Sequence, residues 1–263
     1  MSSNERNIIN RYKDGIREER RSSGDRSDYN TEFKYTKRIL NRYINESSDV
    51  IEIGCGTGYY GMYLADKCNN YVGFDIVPDN IDLFNKKIRD NNIHNVEAYV
   101  GDAINLTNVK DNSFDVVLVL GPMYHLPLEE RKLVFAESKR VCKKNGIIMF
   151  AYINKIGVYV GSCINEPDKY PNMLKNNSIL KNGIDDKRDN IYWFTMPEDM
   201  ENEAIEYELT VLENLGVDFI FIPQILDQKS ERKEAFEEFL DFLSNRKSCT
   251  GFSGHAVMVC KKS

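Results

Sequence analysis

"IEIGCGTGYYG", residues 51–61, holds two glycine patterns in one turn, and the choice between them decides what the fold is built to bind. Counted from Gly54 the pattern is G-x-G-x-G (Gly54, Gly56, Gly58). Counted from Gly56 it is G-x-G-x-x-G (Gly56, Gly58, Gly61), the dinucleotide fingerprint. That fingerprint needs its first glycine at the tight turn directly after the first strand. The apolar run "DVIEI" (49–53) ends at Ile53, so the turn falls on Gly54; counted from there, position 59 is Tyr and the dinucleotide spacing fails. Glu52 points the same way, because a carboxylate just ahead of the turn repels a pyrophosphate. Three alternate glycines leave a backbone with no Cβ shield, which suits close approach of a ligand. Gly61 then lies outside the working register, and its replacement by Ala is expected to be mild.

Outward from this turn, strand and helix alternate. "YVGFDI" (71–76), "VEAYVG" (96–101), "FDVVLVL" (114–120) and "GIIMFAYI" (146–153) read as strands, with helices over 61–68, 80–90 and 128–145, the last ending at Gly146 as a C-cap. This rhythm predicts a doubly wound parallel α/β sheet with its site at the carboxyl ends of the strands. On the N-terminal side, Phe33, Thr36, Leu40 and Tyr43 at helical spacing predict a helix over 29–44. On the C-terminal side about forty irregular residues follow the fifth strand. Thr195 and Glu198 then stand at capping-box spacing, 217–225 reads as a strand, 230–247 as a helix with Phe236, Phe239, Leu240 and Leu243 on one face, and 255–262 as the last strand.

Taken together, these motifs resemble the class I S-adenosylmethionine (SAM)-dependent methyltransferases, from about residue 30 onward. "VIEIGCGTG" looks like the family's glycine motif, "GFDI" its ribose-binding acidic motif, "GDAINL" its adenine motif and "FDVVLVLGPMYHLP" its fourth motif. The resemblance implies a Rossmann-like seven-stranded sheet with a reversed C-terminal strand and a cap inserted after strand five, and it implies SAM as cofactor. Asp75 would hold the ribose, Asp102 and Ala103 would bind the adenine, and Glu52, Gly54, Cys55, Gly56, Gly58, Ile76 and Leu120 would complete the cofactor contacts. An acidic residue at Glu52 suits SAM, which brings no phosphate and carries an amino group and a sulfonium.

The implied reaction is in-line methyl transfer, for which the protein mainly aligns the reactants and excludes water. Tyr124 and His125, at the end of strand four, are the catalytic candidates: His125 as general base or as an anchor of the next helix, Tyr124 as a stacking surface or as core. Tyr59, Tyr60 and Trp193 are candidate walls. "GPMYHL" is similar to a bacterial subgroup of these enzymes. The amino-group methyltransferases resembled at this position carry Asn/Asp-Pro-Pro-Tyr/Phe; here the first position is Gly121, which argues against DNA-adenine chemistry. A small-molecule acceptor is expected, with RNA or protein methylation, or SAM sensing without turnover, as alternatives.

Composition agrees. The 263 residues carry a net charge of −6, which argues against broad binding to nucleic acid or an anionic membrane. The longest apolar run, "VVLVL" (116–120), is too short to span a bilayer, and the N-terminus has no apolar leader segment, so a cytoplasmic protein is expected. The six cysteines and three histidines (His94, His125, His255) are scattered without ligand spacing, which predicts free thiols and no metal. Residues 1–48 carry 11 Lys/Arg against 8 Asp/Glu, a mildly basic segment before an acidic body. It is expected to be a helical arm or lid, with Tyr12 and Arg17 facing the ligand, over a methyltransferase domain of 49–263 whose cap spans 154–195. The sequence carries no signature of oligomeric state.

Overall fold

The computed structural model describes residues 3–13, 15, 19, 27–165, 168, 178–184, 191–219 and 233–263. Strands β1 (Asp49–Ile53), β2 (Asn70–Asp75), β3 (Val96–Val100), β4 (Phe114–Val119), β5 (Cys142–Ile153), β6 (Leu209–Gly216) and β7 (His255–Lys262) form one sheet in the order β3-β2-β1-β4-β5-β7-β6. The first five are parallel, and β7 lies antiparallel to both β5 and β6. Only β7 is therefore reversed; β6 runs with the parallel set. The strand order turns back between β1 and β4, and a crevice opens there at the carboxyl ends.

Both faces of the sheet are covered, which is why its strands are apolar without alternation. Val50, Val116, Leu118, Val257 and Val259 face one core, and Ile51, Val117, Val119, Met258 and Cys260 face the other. The first face is covered by α2 (Ser27–Tyr43), α3 (Tyr59–Leu64), α4 (Pro78–Asp90) and α8 (Lys233–Ser244), the second by α5 (Leu128–Val141) and α7 (Pro197–Glu206). Two further helices, α1 (Ser3–Tyr12) and α6 (Lys155–Asn165), lie at the carboxyl edge.

Helix α2 buries Phe33, Thr36 and Leu40 as their spacing predicts, and Tyr43 reaches out to donate to Glu213 of β6 at 2.6 Å. Arg38 pairs with Asp241 of α8 at 2.7 Å, so α2 is fastened to the body at its side chains as well as through the core.

Four local readings change. Helix α5 stops at Val141 and β5 begins at Cys142, so Gly146 is inside a strand. The strand enters through a bulge, with Phe114 paired to Cys142 but Val116 to Ile147, and a Cβ on Gly146 would stand 2.8 Å from the Asp115 carbonyl. Close backbone approach, not a C-cap, is what requires glycine there. β6 is 209–216 and not 217–225; its pattern, exposed at Thr210 and Leu212 and buried at Leu215, is that of a half-covered edge strand, weaker to the eye than "VDFIFI". Val217–Phe219 continue beyond the sheet and 220–225 lie outside the described residues. The cap of α7 is one residue later than read: Asp199 accepts the Met196 N–H at 3.3 Å, while Thr195 prolongs β5 by pairing with Asn154. Finally, the stretch expected to be irregular contains α6. In the helix read from 230–247, Leu240 is buried and Leu243 packs on the core, while Phe239 is exposed and the side chain of Phe236 lies outside the description.

Candidate active site

The glycine turn answers the question of register. Gly54, Gly56 and Gly58 have φ of 80°, 54° and 84°, all in the left-handed region, whereas Gly61 does not. Side chains rarely adopt that conformation, so each of the three alternate positions is held to glycine by the backbone itself. The Gly54 and Cys55 N–H groups donate to the Phe74 carbonyl at 2.7 and 2.9 Å, which ties the turn to the end of β2. Gly58 plays a packing role: it opens α3, and a Cβ there would stand 2.1 Å from the Phe84 ring.

Above the turn lies a cleft with about 1100 Å³ of empty space, in part open to solvent. Glu52, Gly54, Cys55, Gly56, Asp75, Ile76, Asp102, Ala103, Leu120, Tyr124 and His125 all line it; of the sequence candidates for cofactor contact and catalysis, only Gly58 does not. Tyr59 and Tyr60 line it too. Trp193 is not among the lining residues; its N–H donates to the Tyr124 carbonyl at 2.9 Å, holding the insertion against the end of β4. Arg17 lies outside the described residues.

Asp75 is the hub of the half of the cleft beside the glycine turn. Its carboxylate accepts the Gly56 N–H at 2.9 Å, the Val77 N–H at 2.8 Å and Asn80 Nδ2 at 3.3 Å. A carboxylate has about four lone-pair positions, so one remains for an incoming hydroxyl. Burial raises the Asp75 pKa, and these donors oppose that rise. Glu52 is more deeply buried and accepts the Tyr71 hydroxyl; desolvation, with a smaller contribution from the Asp75 charge, pushes its pKa up to about 8. Burial likewise drives the Cys55 thiol well above its ordinary value, which removes it as a nucleophile. Asp102 is half-buried, takes the Ile104 N–H at 3.1 Å, and is raised first by burial and then by the charge of Glu5.

The other half of the cleft is assembled from distant segments. His125 Nδ1 is 2.7 Å from the Ile191 carbonyl, which can only accept, so Nδ1 carries the proton and Nε2 is the acceptor. Nε2 therefore takes the hydroxyl proton of Tyr12, 3.0 Å away on α1, and Tyr192 stands 3.3 Å behind that hydroxyl. Asn4 also donates to the His125 carbonyl at 3.0 Å. His125 thus ties the N-terminal helix and the insertion together over the cofactor turn. The Tyr124 hydroxyl turns back to the Leu120 carbonyl at 3.3 Å, so it shapes the wall.

Sequence reasoning missed Glu5, Asn80 and Glu130 in the lining. Asn80 stands five residues past Asp75, one turn into α4, and that spacing was the available signal. Glu5 and Glu130 had none.

The family described as "Methyltransferase domain" matches residues 44–195, more than half of the chain. The chain belongs to this family. Its cofactor is SAM, and Gly54, Gly56, Asp75 and Asp102 line the cleft above the turn. Among curated proteins, the methyltransferase is 29% identical over 116 residues to phosphoethanolamine N-methyltransferase of Plasmodium falciparum, covering 43% of this chain and 42% of that one. It is 26% identical over 116 residues to demethylmenaquinone methyltransferase of Listeria welshimeri, covering 43% and 47%. The chain thus spans less than half the length of these relatives. Among solved structures, a SAM-dependent methyltransferase from Methanosarcina mazei superposes with a TM-score of 0.59 at 16% identity, covering 85% of this chain and 96% of that one, a likeness of fold. No helix among the described residues is long and apolar enough to cross a membrane.

Proposed function

We propose that this methyltransferase acts in the cytoplasm, transferring a methyl group from SAM to a small-molecule acceptor in a cleft roofed by α1 and the insertion, and that it belongs to the subgroup marked by "GPMYHL". The observation that carries the reading is the contact of Tyr12 with His125 across the cofactor turn. A roof built from α1 and Tyr192 over this end of the cleft supports a small acceptor over a folded RNA or protein surface. The described lining also holds four carboxylates, Glu5, Asp75, Asp102 and Glu130, beside the Glu52 carboxyl, and no Lys or Arg, which disfavours a polyanion.

The proton path follows from the hydrogen bonds. An acceptor placed at the Tyr12 oxygen would give its proton to that oxygen as Tyr12 gives its own to His125 Nε2, freeing the acceptor's lone pair; bound SAM would supply the methyl group and leave as S-adenosylhomocysteine. His125 acts through Tyr12 in this path. Ile191 holds the ring in the tautomer that needs no further rearrangement.

The test is incubation of the protein with methyl-labelled SAM and cell extract, followed by mass spectrometry of small molecules. A labelled metabolite with release of S-adenosylhomocysteine (SAH) is expected. Tyr12→Phe should lower kcat by roughly 10²–10⁴-fold, the usual contribution of a positioned acid–base group, while SAH affinity changes little. SAM binding without turnover in any extract would support the sensor instead, and label in RNA or protein alone would overturn the small-molecule reading.

A further inference from the structure

One buried side chain of the cleft carries an acceptor oxygen that has no donor among the described residues. Asn80 stands in the first turn of α4, is 2% exposed and lines the cleft beside Asp75. Its Nδ2 donates to Asp75 Oδ1 at 3.3 Å, and because a carboxylate can only accept, this contact fixes which end of the amide is which. The other end is the oxygen. Asn80 Oδ1 is shut away from solvent and has no hydrogen-bond partner among the described residues. A carbonyl oxygen in that state has given up its water without replacement, and such groups are rare in folded chains.

The neighbouring carboxylate is nearly full. Asp75 Oδ1 takes the Val77 N–H at 2.8 Å and Asn80 Nδ2 at 3.3 Å, which occupies both of its lone pairs. Oδ2 takes the Gly56 N–H at 2.9 Å and keeps one. The ribose of SAM presents two adjacent hydroxyls, so a single free position on Asp75 serves only one of them. We propose that Asn80 Oδ1 accepts the second ribose hydroxyl, so that Asp75 and Asn80 divide the diol between them, an inference that rests on Asp75 as the ribose acceptor.

The local chain builds the pair. Pro78 opens α4, and the Asn80 N–H bonds the Val77 carbonyl at 3.1 Å, so both side chains come from one short connection between β2 and α4. One planar amide carries both of its polar atoms, and the hydrogen bond that anchors Nδ2 on Asp75 therefore limits where Oδ1 points. Desolvation of Oδ1 is also complete before a hydroxyl arrives. The bond formed there requires no further removal of water from the acceptor, which places it in the upper part of the range for neutral groups.

Calorimetry with SAH and with its 2′-deoxy and 3′-deoxy analogues tests this on the wild-type, Asn80→Leu and Asp75→Asn chains. Leucine fills the space of the amide without an acceptor, and Asn80→Ala serves where Asn80→Leu does not fold. The wild type should bind one analogue about 5- to 12-fold more weakly than SAH, for the hydroxyl on the amide, and the other roughly 10- to 150-fold more weakly, for the hydroxyl on the carboxylate. In Asn80→Leu the smaller deficit should vanish to within a factor of about two while the larger remains, and in Asp75→Asn the larger should shrink. Deficits unchanged in Asn80→Leu would overturn the proposal whatever that variant does to Tm or to SAH affinity, because a merely structural Asn80 changes those and leaves the discrimination between hydroxyls alone. A wild-type chain indifferent to both hydroxyls would instead remove the ribose assignment of Asp75, and the role of Asn80 with it.

Discussion

Replacing Asp75 by Asn separates the two duties of that side chain. Asparagine keeps one acceptor oxygen, which can stay with the Val77 N–H now at 2.8 Å, but it turns an NH₂ group toward the Gly56 N–H now at 2.9 Å from the second carboxylate oxygen. One charge-assisted hydrogen bond becomes a donor facing a donor. Such a bond contributes ~1.5–3 kcal/mol. Burial, however, already raises the Asp75 pKa, so the carboxylate carries a desolvation cost that the neutral amide relieves. The stability loss should therefore fall at the low end, about 1–2 kcal/mol, or a few degrees in Tm for a chain of this size. The loss in cofactor affinity comes from the remaining lone pair. One hydroxyl-to-carboxylate bond of ~1.5–3 kcal/mol corresponds to roughly 10- to 150-fold in Kd. Calorimetry with SAH, on protein whose folding is checked by circular dichroism, reads both numbers. An SAH affinity within a factor of about two of wild type would refute the assignment of Asp75 to the ribose.

Glu52 makes stability depend on pH. Its pKa is about 8 in the folded chain against an ordinary 4.5, so the native state holds an extra proton between those values, and its contribution is full below pH 4.5 and lost as pH rises toward 8. Glu52→Gln should remove several kcal/mol of that slope, read as a flatter plot of unfolding free energy against pH than wild type gives; parallel plots would show that Glu52 ionises normally. Gly61→Ala, expected to be mild for the cofactor, is costly for packing: the new methyl would stand 2.4 Å from Phe84 Cζ and 2.8 Å from Tyr71 Cε1. Overpacking of this kind costs ~1–3 kcal/mol. The variant should lose Tm but bind SAH normally, whereas Gly56→Val, at φ 54°, should lose SAH binding; equal loss of affinity in the two would contradict the register.

What could be read from the sequence was what short spacing encodes. Gly54, Gly56, Gly58, Asp75 and Asp102 lie at or just after the carboxyl ends of strands, where a few adjacent residues fix both backbone and contact, and all but Gly58 face the cleft. Gly146 and β6 were misread for a related reason: a glycine before a strand looks the same whether it ends a helix or permits a bulge, and an edge strand shows a weaker apolar pattern than the residues after it. Tyr12 shows the other limit. It was suspected only from charge and aromatic content, and nothing within the first 28 residues indicates that its hydroxyl meets His125, 113 positions later.

The position of β7 has a consequence for how the chain reaches its native state. Ile148 pairs with Cys260 on one side of it, and Val211 pairs with the same Cys260 on the other. Of the seven strands of the sheet, the one synthesised last is thus the one that joins β5 to β6. Until it arrives, β5 exposes an unpaired edge, and β6 lacks the neighbour that fastens it to the sheet. During synthesis a chain made as far as β6 therefore carries open strand edges beside Met149 and Phe150, residues that end fully buried. That aggregation-prone interval lasts until β7 pairs with both neighbours.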